Sequence, residues 1–206
     1  IRHINIVGNK DFSEEILLDE FEQNTTGWLS WISSDDKYAR EKLSGDLETL
    51  ETWYLDRGYL KFAVQSTQVS ISPNKESVYI TINIDEGDVY KVSTIELAGE
   101  LMIDETQIRA MILMREGLTF SQALMTTSSE YITRRLGIEG YTFAEVNGFP
   151  DLDEEEKTAK ITFMVTPGMR AYVRRVEFRG NTKTADTVLR REMRQMEGSS
   201  ANNSLI

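Results

Sequence analysis

Several short segments of the chain carry apolar residues at every second position, and each reads as a strand with one buried face. Three of these segments end in glycine: Ile4 and Ile6 before Gly8-Asn9, Ile95 and Leu97 before Gly99-Glu100, and Val176 and Phe178 before Gly180-Asn181. The recurrence of one design at Gly8, Gly99 and Gly180 is nearly even, so the chain reads as a tandem of repeated units. After each glycine the spacing becomes helical, with apolar pairs at Ile16 and Phe21, Ile108 and Leu113, and Val188 and Met193. Asp11 with Glu14, and Asp104 with Gln107, have the spacing of a capping box and predict where the first two of these helices start. A second, longer helix follows, with Leu43, Leu47, Leu50 and Tyr54 as its core stripe. Arg57-Gly58-Tyr59 reads as its stop, and Gly140-Tyr141 repeats that signal in the next unit.

Two further strands close each unit as a hairpin. In the first unit the predicted turn is Ser72-Pro73-Asn74-Lys75, and the last strand places Val78, Ile80, Ile82 and Ile84 on one face. In the second the turn is Asp153 to Glu156, and Ala159, Ile161, Phe163 and Val165 form the matching face. Gly87 and Gly168 end the two units at equivalent places in the repeat. The expected division is therefore residues 1–87, 88–168 and an incomplete 169–206, joined by short connections as a semi-rigid string. The incomplete copy has a first strand and first helix but no second helix and no hairpin. Its segment Tyr172 to Phe178 is expected to be strand-like, poorly supported and in search of a partner edge.

Composition narrows the function. At 206 residues the chain lets each unit be large enough to bury a core. No apolar run approaches the roughly 18 residues a membrane-spanning helix needs. The chain starts on a strand-like segment, so any secretory signal is expected to have been removed or to lie upstream. There is no cysteine, which excludes disulfides, thiolate catalysis and cysteine zinc sites and leaves the compartment open. The net charge of −11 disfavours a phosphate backbone as ligand, so no nucleic-acid partner is expected. Residues 1–168 hold 15 basic and 30 acidic residues, whereas 169–206 hold 8 and 4. Arg190, Arg191 and Arg194 are then either a solvated helix face or a docking face toward anionic lipid or a neighbouring domain.

Little in the chain suggests catalysis. His3 is the only histidine, it falls in a strand, and no nucleophile elbow accompanies it. The acidic run Asp151, Asp153, Glu154, Glu155, Glu156 lacks the glycine and closing glutamate of a calcium loop and reads as a solvated turn. Asn24-Thr25-Thr26 and Asn202-Asn203-Ser204 match a glycosylation pattern but read as incidental. Neither catalytic residues, nor cofactor, nor metal is expected. The loop Trp28-Leu29-Ser30-Trp31-Ile32 either caps a core or anchors a partner.

The clearest binding signal is that residues 62–74 contain no charged side chain. Edge strands ordinarily carry guards such as lysine or proline. An unguarded edge takes up an extended peptide by strand addition, and Phe62, Val64, Gln65, Thr67 and Val69 are the candidate residues, acting through main-chain groups. The apolar phase shifts between Phe62, Val64 and Val69, Ile71, which predicts a bulge near Ser66 to Gln68. Such a bulge equally serves to twist an ordinary strand away from partners. The counterpart in the second unit, Tyr141 to Phe149, has Glu145 and Gly148 and is followed by Pro150, so it is expected to pair less readily.

The phrases Ile4-Asn5-Ile6-Val7-Gly8-Asn9, Leu47-Glu48-Thr49-Leu50, Tyr54-Leu55-Asp56-Arg57-Gly58-Tyr59, Ser66-Thr67-Gln68-Val69-Ser70 and Val188 through Gly198 resemble the polypeptide-transport-associated (POTRA) domains of outer-membrane assembly factors. By register the chain resembles the third and fourth such domains plus the start of the fifth. The loop Asn24 to Ser34 departs from the pattern, so contacts the family makes there do not carry over. The resemblance implies an α+β fold of tandem β-α-α-β-β units, each a three-stranded mixed sheet covered by two antiparallel helices. It also places the 62–71 strand at a sheet edge. The implied role is a non-enzymatic periplasmic scaffold, the soluble part of an outer-membrane protein. Its expected partners are unfolded outer-membrane proteins, accessory lipoproteins of the assembly complex and its own C-terminal membrane barrel, which these residues do not include. Edge-to-edge self-association is a further expectation. The alternative is a structural spacer that orients the barrel without binding clients.

Overall fold

The computed structural model describes residues 2–24, 36–71 and 78–202. Eleven elements follow in order: β1 (Arg2–Val7), α1 (Glu14–Asn24), α2 (Asp36–Leu55), β2 (Ala63–Ile71), β3 (Val78–Asp85), β4 (Lys91–Gly99), α3 (Glu105–Met111), α4 (Gln122–Ile138), β5 (Glu145–Asp153), β6 (Thr158–Thr166) and α5 (Asp186–Glu192). The first five and the next five each form a β-α-α-β-β unit. Strand order is β1-β3-β2 in one sheet and β4-β6-β5 in the other. β1 runs parallel to β3 and β2 antiparallel to it, so the first sheet is mixed.

By compactness the chain divides into Ile1–Lys91 with Thr119–Gln122 and Glu155–Lys157, and Val92–Leu118 with Ala123–Glu154 and Thr158–Ile206. In the first unit Leu17 of α1 and Leu50, Trp53 and Tyr54 of α2 pack with Ile6, Ile80, Ile82 and Ile84 into one core. Leu43 and Leu47 lie partly buried against it, so the stripe of the long helix is placed as its spacing predicts. The second unit buries Ile108, Met125, Ile132 and Leu136 from its helices and Ala159, Ile161, Phe163 and Val165 from β6. Its turn takes in residues 154–157, one position later than the expected Asp153 to Glu156.

Four local expectations need correction. Ile16 is 48 % exposed while Leu17 is fully buried, because a single apolar pair does not fix the rotation of a short helix. α3 stops at Met111, which leaves Leu113 exposed and buries Ile112 and Met114 instead. Asp104 does cap α3, accepting from the Thr106 N–H at 2.8 Å, but Asp11 and Glu14 do not form a capping box: their carboxyls accept from the Tyr59 hydroxyl and the Ile6 N–H. Tertiary donors outcompeted the local ones. Residues 173–178 form no strand, and Tyr172 makes only an isolated bridge to Ser200. The tryptophan loop and the turn at Ser72 to Lys75 lie outside the described residues.

Candidate interaction edge

β2 lies at the margin of the first sheet, with β3 as its one neighbour among the described residues. Its partners across the ladder are Ile84 for Val64, Ile82 for Thr67 and Ile80 for Val69. Those three isoleucines are buried, so Val64, Thr67 and Val69 share the core face. Burial fades outward along that row: Val64 packs against the core, whereas Val69 is 52 % exposed. The register shifts between Val64 and Ser66, which makes Gln65 the bulged residue, one position before the expected Ser66 to Gln68. Asn83 donates to Ser66 Oγ at 2.8 Å just beyond the bulge. An added strand would meet apolar residues on one face and Gln68 and Ser70 on the other, which suits an amphipathic segment of period two.

Phe62 stands apart from the other candidates. It precedes β2, is buried, and stacks on Tyr54 with ring centroids 4.2 Å apart and planes 12° apart. Its N–H donates to the Tyr59 carbonyl at 3.0 Å. Phe62 therefore anchors the start of the edge strand to the aromatic group of Phe12, Trp53, Tyr54 and Tyr59. That group is held by a carboxyl the sequence did not single out. Glu86 is buried and accepts from the Tyr54 hydroxyl at 2.7 Å and from the N–H groups of Lys10 and Asp11 at 2.8 and 3.1 Å. The signal was present, since Glu86 continues the period-two row Ile80, Ile82, Ile84. Burial, reinforced by Glu86, raises the Tyr54 hydroxyl far above the ordinary tyrosine range. Burial and then Asp11 push Tyr59 up to about 12.

β5 occupies the corresponding margin of the second sheet, paired to β6 without a register break from Glu145 to Asp153. It carries Glu145, and Pro150 brings no N–H to the edge. A side chain at Gly148 would meet Met125 at 2.5 Å, so this strand sits tightly against α4. No helix among the described residues is long and apolar enough to cross a membrane.

The family model POTRA, described as surface antigen variable number repeat, matches residues 1–87, 90–168 and 171–206. The outer membrane protein assembly factor BamA of Buchnera aphidicola is 33 % identical over all of this chain, which covers 33 % of that protein. BamA of Neisseria meningitidis is 27 % identical over 96 % of the chain and 25 % of its own length. The crystal structure of Haemophilus influenzae BamA POTRA3-5 superposes with a TM-score of 0.79 at 30 % identity, over 98 % of this chain and 79 % of that one. The chain thus spans a third or less of these curated relatives. With the β-α-α-β-β order, the sheet topology and the family match in agreement over almost its whole length, the chain belongs to the POTRA family.

Proposed function

We propose that this chain is a periplasmic scaffold for assembling outer-membrane β-barrel proteins, binding unfolded client segments and accessory lipoproteins by strand addition and catalysing no reaction. Three repeated units, at residues 1–87, 88–168 and 169–206, are the organisation this reading uses, with a membrane barrel as their companion. The observation that carries it is the position of β2: a marginal strand with one neighbour among the described residues and no charged residue. Such an edge offers main-chain donors and acceptors to any extended chain, and it discriminates weakly between sequences. Each site is then weak alone, and repetition along the chain raises the avidity for a long client.

The test is to titrate a synthetic peptide of alternating valine and threonine into isotope-labelled protein. Saturable amide shifts confined to Val64 through Ser70 support the reading. Silence there, with shifts elsewhere or none, favours a spacer that orients a barrel.

A further inference from the structure

β4 is also a marginal strand, yet its main chain is not left open. The Ile95 N–H donates to Glu116 Oε1 at 3.3 Å, and the Ile95 carbonyl accepts from Arg109 Nη1 at 3.3 Å. Arg109 is oriented by Glu105, one turn before it on α3, at 2.8 Å. One residue thus has both its donor and its acceptor occupied by side chains. In an antiparallel ladder these are the two groups that a pairing residue engages at a hydrogen-bonded position. The carboxyl supplies the acceptor and the guanidinium the donor that a second strand would bring.

The arrangement recurs at the equivalent place in the next copy of the repeat. The Val176 N–H donates to Glu197 Oε1 at 2.9 Å, and Arg190 Nη2 donates to the Val176 carbonyl at 2.7 Å. Asp186 orients Arg190 at 2.8 Å, and Arg190 meets Glu197 at 2.8 Å, which closes the ring. The Val176 N–H, followed by Arg190, holds the Glu197 carboxyl below the usual range. Because residues 173–178 form no strand, the ring is not a by-product of sheet geometry. In the first unit a different carboxylate, Glu14 at the start of α1, accepts from the Ile6 N–H at 3.0 Å, two residues beyond Ile4, the counterpart of Ile95. β2, by contrast, contains no acidic or basic residue.

We infer that Glu116 and Arg109 lock the outer edge of β4 by standing in for a strand partner at Ile95. Glu197 and Arg190 occupy the main chain of Val176 in the same way, so an extended client is directed away from both segments. The direction of client addition rests on the function proposed above; the lock itself does not.

Two measurements test the lock. In the unaltered chain the Ile95 and Val176 amides exchange slowly with deuterium, and Glu116→Ala speeds exchange at Ile95 by roughly tenfold while leaving Val176 unchanged. Exchange at Ile95 as fast as at a solvent-exposed loop amide overturns the lock, even if altered chains do not fold. In the folded double variant Arg109→Ala, Glu116→Ala, the alternating valine-threonine peptide shifts the amides of Ser93 through Leu97, whereas in the unaltered chain it does not. A folded double variant silent at these residues sinks the inference, as does a response there with the pair intact. A response at β4 of the double variant with β2 silent upholds the lock and rejects strand addition at β2.

Discussion

The Tyr54 hydroxyl donates to Glu86 Oε1 at 2.7 Å inside the first core, and the other oxygen of the same carboxyl accepts from the Lys10 and Asp11 N–H groups. One side chain at the end of β3 therefore fixes both the long helix and the turn that leaves β1. Removing one donor leaves the acceptor satisfied, whereas removing the acceptor strands three donors at once. Tyr54→Phe is expected to cost about 1 kcal/mol and Glu86→Ala about 3 kcal/mol or more. Urea denaturation measures both, and equal costs would contradict the hub role of Glu86.

The tyrosines make the first core sensitive to alkali. Tyr59 has its pKa raised from the ordinary 10.0 to about 12, and Tyr54 moves in the same direction. The fold thus favours the neutral phenol. Its contribution is complete below pH 10 and is lost as the pH rises through about 12. For Tyr59 alone the loss is of the order of 2–3 kcal/mol. Urea midpoints followed upward from pH 9 should fall over this window, and Tyr59→Phe should flatten the fall. An unchanged pH profile in that variant would show that Tyr59 does not carry it.

Gly8 and Gly99 end equivalent strands, and both need the absence of a side chain. Gly8 has φ +104° and Gly99 φ +93°; an added Cβ would lie 2.0 Å from the Ile84 carbonyl oxygen and 2.1 Å from that of Val165. Gly180 has φ +84° with open space around it. Alanine at either of the first two positions meets backbone strain and a backbone clash together, costing about 3 kcal/mol or more. At Gly180 only the strain remains, about 1 kcal/mol. Thermal unfolding ranks the first two, and hydrogen exchange across 172–201 reports on the third.

What the sequence made legible follows from what repeats and what alternates. β3 and β6 are recognisable because apolar residues alternate over enough positions to decide the buried face, and the recurrence of glycine after each first strand marks the units. The short helices were less legible: one apolar pair is compatible with several rotations, and Leu17 rather than Ile16 met the core. Hydrogen-bond partners were least legible. Asp11 and Glu14 have capping spacing, yet Tyr59 and the Ile6 N–H, distant or outside the helix, claimed their oxygens. The bulge could be sensed from the phase shift, but its place at Gln65 depends on the pairing with β3.

Val69 offers the most direct test of the edge itself. It lies opposite Ile80 on the core face and is 52 % exposed, because no further strand covers it among the described residues. A lysine there keeps its alkyl stem along the apolar row and sends its ammonium into the space an added strand would occupy. Folding should be affected by less than about 1 kcal/mol, since little apolar contact is lost. Strand addition should weaken by roughly tenfold or more, because lysine is the guard that natural edges use. Titration calorimetry with the alternating peptide measures the loss of binding, and sedimentation of concentrated protein shows whether self-association falls in parallel. If Val69→Lys folds normally and binds the peptide as tightly as the unaltered chain, the client does not add at β2.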